Sequence, residues 1–438
     1  MAAVKNSNDR LIVGLDIGSS KVSVIVCDVN EGGKIEVIGV SEKPSQGMQR
    51  GMVSNIDLMT ESIEQAVMEA EIMSSRTIDE VYAGITGVHI RSYNSSGVVA
   101  IRGGEVTQDD VIRVIEGAQA VNKSSDENFL HVLPQAFTID NHHGIQNPIG
   151  LCGIRLEVNV HAVTANASAE QNIRKCINLC DLDVKGIFLD HLASSHAVLT
   201  DDEKKLGVGL LDIGDETTDL SIFYDGAMQY SMTFPTAGAQ ITNDIAVIVH
   251  TPTEAAKKIK HRYGFALASE LAQDQNIDLP TIGEHALGVI RQRSLAEVIE
   301  ARTAEMFKDI YDHLADTEYL DMIRSGLVLS GGSSKLKGID SLAFQIFQKP
   351  VRIGLPNYKG PLRELVHHPR FSTAIGLCQI GLESEKFQAV YVEDESRGYG
   401  NSLVSRIFDK VRVFQKQPEI SAPSIDSSIE HRESWFKV

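Results

Sequence analysis

The sequence predicts an α/β fold of two related lobes, with a small α+β unit inserted in the first and an amphipathic helix near the C-terminus. Three observations carry this expectation. A glycine-bearing, aspartate-anchored turn, Leu15-Asp16-Ile17-Gly18-Ser19-Ser20-Lys21, is echoed about half the chain later by Leu211-Asp212-Ile213-Gly214-Asp215-Glu216-Thr217-Thr218-Asp219. A third turn, Val328-Leu329-Ser330-Gly331-Gly332-Ser333-Ser334, lies downstream. Each turn follows or completes a short apolar run of strand type, and the stretch 88–164 between the first two has a different, strand-rich texture.

Taken in order, Leu11–Leu15, Val22–Cys27 and Ile35–Val40 read as a strand meander, followed by a helix from about Asp57 to Ser74. Leu58, Ile63, Val67 and Ile72 are its expected apolar stripe. Asp79–Ile85 reads as a strand. Within 88–164, strands are expected at His89–Tyr93, Gly97–Ile101, Leu130–Phe137 and Leu156–Ala165. A helix, Thr107–Val121, lies between them, with Thr107 as N-cap ahead of Asp109 and Asp110. Ala167–Cys180 and Leu192–Leu199 read as helices around a strand at Val184–Leu189. A second meander occupies 207–234 and a mostly helical stretch 239–320. There Leu295–Leu314 is amphipathic through Val298, Ile299, Met306, Ile310 and Leu314. Phe371–Leu382 is expected as the last helix of the globular part, small enough at Ala374 and Gly376 for close packing. After Glu383 the composition shifts, and residues 393–402 are polar and read as a linker.

The 438 residues are enough for two or more domains. Lys and Arg number 41 against 59 Asp and Glu, a net charge of -18, which argues against general nucleic-acid binding. The five cysteines lack metal-ligand spacing and read as buried thiols of a reducing compartment. No apolar run reaches the roughly 18 residues that span a bilayer, and Met1 to Asp9 lacks a signal-peptide core. The body of the chain is therefore expected to be soluble and cytoplasmic.

A strand, a tight glycine turn and a second strand bring backbone N–H groups against phosphate oxygens. Two such turns and a Gly-Gly turn in this order suggest two halves closing on one nucleotide. Asp16 and Asp212 are placed to hold hydrated Mg2+ from opposite sides. Gly18 and Gly214 allow close approach, Lys21 supplies a point charge, and Ser19, Ser20, Thr217 and Thr218 supply hydroxyls. Gly331, Gly332 and Ser333 offer a surface for adenosine. No residue stands out as a general base; Asp190, beside His191, is positioned for it but reads as structural.

A second site lies in Ser402–Lys416. Leu403, Ile407, Val411 and Phe414 recur at helical spacing, and Phe408 widens their stripe. Arg406 and Lys410 face the solvent side, with Arg412 and Lys416 adding charge. A basic amphipathic helix behind a linker suits an anionic membrane surface. The last residues, within 417–438, read as a disordered tail, whose Trp435 and Phe436 offer a lesser interfacial contact.

The order of turns, the insertion, Gly238-Ala239-Gln240-Ile241-Thr242-Asn243-Asp244, Ala296-Glu297-Val298-Ile299-Glu300-Ala301-Arg302, Phe371-Ser372-Thr373-Ala374-Ile375-Gly376-Leu377 and the basic terminus together resemble the actin, Hsp70 and sugar kinase superfamily. Within it they are most similar to the FtsA family of bacterial cell-division proteins. The resemblance implies a two-lobed actin-like ATPase fold. Subdomain 1A would comprise 1–87 and 165–206, the inserted 1C 88–164, 2A 207–246 and 311–384, and 2B 247–310. A linker at 385–401 and a membrane helix at 402–416 would follow. It also implies ATP and Mg2+ in the cleft with Lys260 contributing from 2B, at most weak ATPase activity, and head-to-tail filaments. The expected role is to tether the FtsZ ring to the cytoplasmic face of the inner membrane at the septum. The acidic C-terminal peptide of FtsZ would meet Arg291, Arg293 and Arg302, and other division proteins would meet 1C. Two departures stand out: Asp215 and Glu216 replace glycines expected in the second turn, and Lys257 stands where a glutamate is usual. The alternatives are a pilus-assembly component of the same fold or a small-molecule kinase.

Overall fold

The two halves of the chain repeat one strand order, and that repetition places the cleft. The computed structural model describes residues 10–120, 123–279 and 288–395. Lobe 1 opens with β1 (Leu11–Ile17), β2 (Lys21–Val29) and β3 (Ile35–Pro44), an antiparallel meander. A short hairpin, β4 (Met48–Gln49) and β5 (Met52–Val53), leads to α1 (Ile56–Ser74) and β6 (Glu80–Ile85). The insertion comprises β7 (Arg91–Ala100), α2 (Gln108–Gln119), β8 (Glu127–Ile139), β9 (His142–Ile145) and β10 (Arg155–Asn166). The chain returns through α3 (Ala167–Leu179), β11 (Asp183–Leu189), α4 (Asp190–Val198) and α5 (Asp201–Leu206).

Lobe 2 repeats the meander as β12 (Val208–Ile213), β13 (Thr218–Tyr224) and β14 (Ala227–Phe234). After it come α6 (Gly238–Ile248), α7 (Thr253–Tyr263), the hairpin β15 (Asn276–Leu279) and β16 (Gly288–Arg291), and α8 (Gln292–Ala315). The chain continues with α9 (Tyr319–Met322), β17 (Leu327–Ser330), α10 (Ile339–Phe347), β18 (Val351–Ile353), α11 (Arg363–Val366) and α12 (Ser372–Glu395).

The first sheet runs β11-β6-β1-β2-β3 and the second β18-β17-β12-β13-β14. In each, an antiparallel meander is extended by two parallel strands on the side of its first strand. Parallel pairing requires crossovers, supplied by helices that cover the sheets. The inner strands β1, β2, β12 and β13 are accordingly buried almost throughout. The insertion folds around its own core, in which Val114, Ile115, Phe137 and Val158 are buried between α2 and the sheet β7-β10-β8-β9. It docks on lobe 2 through polar contacts. Ser92 Oγ donates to Ser231 O at 2.6 Å, His161 Nε2 lies 2.9 Å from Ser231 Oγ, and Gln135 Nε2 donates to Met228 O at 3.1 Å.

The elements differ from expectation where contacts across the fold decide. On α1, Leu58 and Ile72 are exposed, while Met59, Ala66 and Ala70 join Ile63 and Val67 in facing the sheet. The helix meets the sheet with a narrower face than its apolar count suggests. Two expected strands merge into β7 because Gly97 sits against α2; a Cβ there would come 2.0 Å from Val114 O. The hairpin β15–β16 interrupts a stretch read as helical. Its alternating Ile277 and Leu279 turn inward onto the core formed with Ile241, Ile259 and Leu295, a period-2 signal too short to see between helices. The last helix continues to Glu395, over the first part of the segment read as a linker, because no glycine or proline intervenes before Gly398. The rest of that segment, the amphipathic stretch 402–416 and the tail lie outside the described residues. Among the described residues no helix is long and apolar enough to cross a membrane.

Candidate functional site

The two sheets face each other across a cavity of about 520 Å3, and the repeated hairpins form its walls. The hairpins share one turn hydrogen bond and one register. Gly18 N donates to Lys21 O at 2.9 Å, and Gly214 N donates to Thr217 O at 2.9 Å. In register, Asp16 pairs with Ser23 and Asp212 with Asp219. From the first hairpin Asp16, Gly18, Ser19, Ser20 and Lys21 line the cavity, and from the second Asp212, Gly214 and Thr217. Gly331, Gly332, Ser333 and Lys260 line it from lobe 2. Thr218 does not: its buried Oγ1 donates to Thr236 O at 2.7 Å. Successive strand residues face opposite ways, so Thr217 and Asp219 turn to the cavity and Thr218 to the interior of lobe 2.

One end of the cavity is acidic. Asp16, Asp190, Asp212 and Asp219 converge there, with Lys21 as their nearby cation. Lys21 Nζ donates to Asp16 Oδ2 at 3.1 Å, to Ser23 Oγ at 2.5 Å and to Arg370 O at 2.8 Å. Burial, with Asp219 and Asp16 adding repulsion, pushes Asp212 up to about 7, although the Ser194 hydroxyl that donates to it pulls the other way. Burial pushes Asp219 up to about 6 against the pull of Thr233 Oγ1 at 2.6 Å and Thr86 Oγ1 at 2.7 Å. Asp190 is raised well above the usual aspartate range by burial and then by Asp16, Asp219 and Asp212. Burial holds His191, 3.9 Å from Asp219 Oδ1, down to about 3, so it is neutral there. Among the described residues no group of three or more His, Cys, Asp or Glu side chains is arranged to hold a metal ion.

The third turn is built for close backbone approach. Gly331 has φ +82, and a Cβ there would lie 2.4 Å from Ile213 O and 2.5 Å from Asp212 Oδ1. Beside Gly332 there is open space. Ser333 Oγ donates to Gly214 O at 2.6 Å, tying the third turn to the second. Lys260 Nζ donates to Gly238 O at 2.6 Å; its burial, with Lys257 adding repulsion, draws it down to about 8 despite the attraction of Asp215.

Of Asp215 and Glu216 in the second turn, Glu216 reaches across the cleft, where its Oε2 accepts the backbone N–H of Arg50 in the β4–β5 turn. Several lining groups carried no local signal in the sequence. Thr86 comes from the end of β6, Thr373 from the start of α12, and Arg370 and His368 from the loop before it. They reach the cavity only through the packing of α12 and β6 on β1. Arg291 ends β16, with its guanidinium 3.8 Å from Asp274, and Arg293 is exposed in the first turn of α8. Arg302 lies further along α8, with Nε 2.5 Å from Asp244 and Nη1 2.6 Å from Glu305.

The family profile described as "Cell division protein FtsA" matches residues 209–376, and one described as "SHS2 domain inserted in FTSA" matches residues 87–164. The cell division protein FtsA of Pseudomonas aeruginosa is 44% identical over 385 residues, covering 88% of this chain and 92% of that protein. The chain belongs to the FtsA family of cell division proteins. FtsA of Neisseria meningitidis is 40% identical and covers 91% of this chain and 97% of its own length; for FtsA of Escherichia coli the figures are 35%, 92% and 98%. The fold extends beyond the FtsA family. A solved type IV pilus biogenesis complex of PilM and PilN aligns with TM-score 0.62 at 16% identity, over 85% of this chain and 98% of that one. MreB5 of Spiroplasma citri bound to AMPPNP aligns with TM-score 0.52 at 14% identity, over 89% of this chain and 99% of that one. The two-lobed actin-like fold and FtsA membership expected from the sequence are thereby borne out, and the pilus and kinase alternatives recede.

Proposed function

We propose that this FtsA-family chain binds ATP in the cleft, assembles head to tail, and tethers an FtsZ ring to the cytoplasmic face of the inner membrane at the septum. The observation that carries the nucleotide half is the pair of equivalent hairpins facing one cavity, in a fold whose MreB relative was solved with AMPPNP. The backbone amides near Gly18 and Gly214, with Ser19, Ser20, Lys21 and Thr217, would contact phosphates. Gly331, Gly332 and Ser333 would carry adenosine, with Lys260 beside them. Asp16 and Asp212 would hold Mg2+. That ion takes one or two carboxylates and keeps several waters, so no protein cage is needed, and it would relieve the repulsion from Asp219 and Asp16 that adds to the burial lifting Asp212. Its chemistry there would be charge neutralisation of the phosphates. No residue stands out as an efficient general base, in keeping with at most weak ATPase activity.

The membrane half rests on the basic amphipathic residues Leu403, Arg406, Ile407, Phe408, Lys410, Val411 and Phe414. The acidic FtsZ C-terminal peptide is assigned to Arg291, Arg293 and Arg302. Because Arg302 already holds two carboxylates, Arg291 and Arg293 are the freer cations. Other division proteins are assigned to the insertion.

One assay tests both halves. Anionic phosphatidylglycerol-containing vesicles are pelleted with the full chain, Mg2+ and a fluorescent ATP analogue. The full chain should carry the analogue into the pellet, whereas a chain ending at Glu395 should bind the analogue and stay in the supernatant. Equal pelleting of both chains would refute the membrane assignment; a pelleted chain without analogue would refute the nucleotide assignment.

A further inference from the structure

We propose that Glu216 is a clasp that holds the phosphate end of the cleft closed and slows nucleotide exchange; this rests on the nucleotide reading above. The residue sits in the Gly214–Thr217 turn of lobe 2, and its Oε2 accepts the Arg50 backbone N–H from the turn between β4 and β5 of lobe 1. The donor is displayed by an unusual backbone. Arg50 has φ 49 and Gly51 φ 76, the paired left-handed values of a two-residue hairpin turn, a conformation that Asn-Gly or Gly-Gly would hold with less strain.

That turn cannot easily move away. A Cβ on Gly51 would come 2.2 Å from Thr86 O and 2.5 Å from Gly87 Cα, so the turn is seated on the end of β6. Thr86 there donates to Asp219 on β13. Two links from lobe 1 therefore converge on the second hairpin, and Gly51, Thr86, Glu216 and Asp219 all line the same cavity. A carboxylate accepting an amide N–H makes a charge-assisted bond, stronger than a neutral one. The clasp also gives this carboxylate in the second turn a hydrogen-bond donor on lobe 1. Opening the lobes to admit or release a nucleotide breaks this bond. Since the donor is main chain, the Arg50 side chain is not needed.

The test uses the full chain with and without Mg2+ and a fluorescent ATP analogue. In the nucleotide-free protein, hydrogen exchange of the peptide covering 48–53 should speed up in Glu216→Ala and be no faster than in the parent in Arg50→Gly. Release of the analogue should be several-fold faster in Glu216→Ala, intermediate in Glu216→Gln and no faster than in the parent in Arg50→Gly. Exchange over 48–53 that is the same in Glu216→Ala and the parent would overturn the clasp, as would unchanged release from that variant. Failure of the parent itself to bind the analogue would instead sink the nucleotide reading, while the exchange measurement still decides the contact.

Discussion

Asp219 shows how much one residue's setting decides. Its hairpin counterpart is Ser23, a neutral group bonded to Lys21, whereas Asp219 is a buried acid held by two threonine hydroxyls. In an unfolded chain an aspartate ionises near about 3.9, and here burial moves Asp219 to about 6 and Asp212 to about 7. Between those values the folded chain binds more protons than the unfolded one. The stabilisation is complete below about pH 4 and is lost as pH rises through 6 and 7. The nucleotide-free protein should therefore lose thermal stability from pH 5 to pH 8. Asp219→Asn keeps the threonine contacts and removes one titration, so it should flatten that slope by an amount on the order of 2 kcal/mol. A parent and variant with the same pH dependence of Tm would show that Asp219 is ionised as in water.

Among the elements, α2 carries its own start signal. Thr107 Oγ1 accepts the Asp110 N–H at 3.3 Å, and Asp110 Oδ2 accepts the Thr107 N–H at 3.0 Å, a reciprocal capping box. Below it, Val111, Val114, Ile115 and Ala118 face the insertion's sheet. Thr107→Ala should cost about 1 kcal/mol. The loss should appear as faster hydrogen exchange within α2, with α1 and α12 unaffected; uniform change across the chain would mean that the insertion has no stability of its own. This start was legible from Thr-x-x-Asp alone because capping is local. The β15–β16 hairpin was not, because its two four-residue strands gain their meaning from the core they cover.

For the whole molecule, α12 is the piece on which lobe 1 and the cleft depend together. It packs on β1 where Gly14 meets Ala374 O and on α4 where Gly376 meets Ala193; added Cβ atoms would fall 2.3 Å and 1.8 Å from those carbonyl oxygens. Helix α4 starts at Asp190 and delivers Ser194 to Asp212, with Thr373 of α12 3.0 Å from Ser194 Oγ. Gly376→Ala should thus push α4 from α12, lowering stability by about 1–3 kcal/mol and weakening binding of a fluorescent ATP analogue. Unchanged Tm and affinity would mean that the two helices separate freely.

The sequence by itself determined the two hairpins, the start of the insertion's helix and the small-residue face of α12, because turns, caps and close helix packing are set by residues within a few positions of one another. It also named Asp16, Asp212 and Gly331 as partners, and the structure places all three on one cavity. Only the tertiary structure decided that Thr218 turns inward, that Leu58 and Ile72 remain outside, and that Glu216 binds the opposite lobe. These depend on which face of an element meets its neighbour and on groups some 166 residues apart, a relation that pairing and packing create and no local spacing encodes.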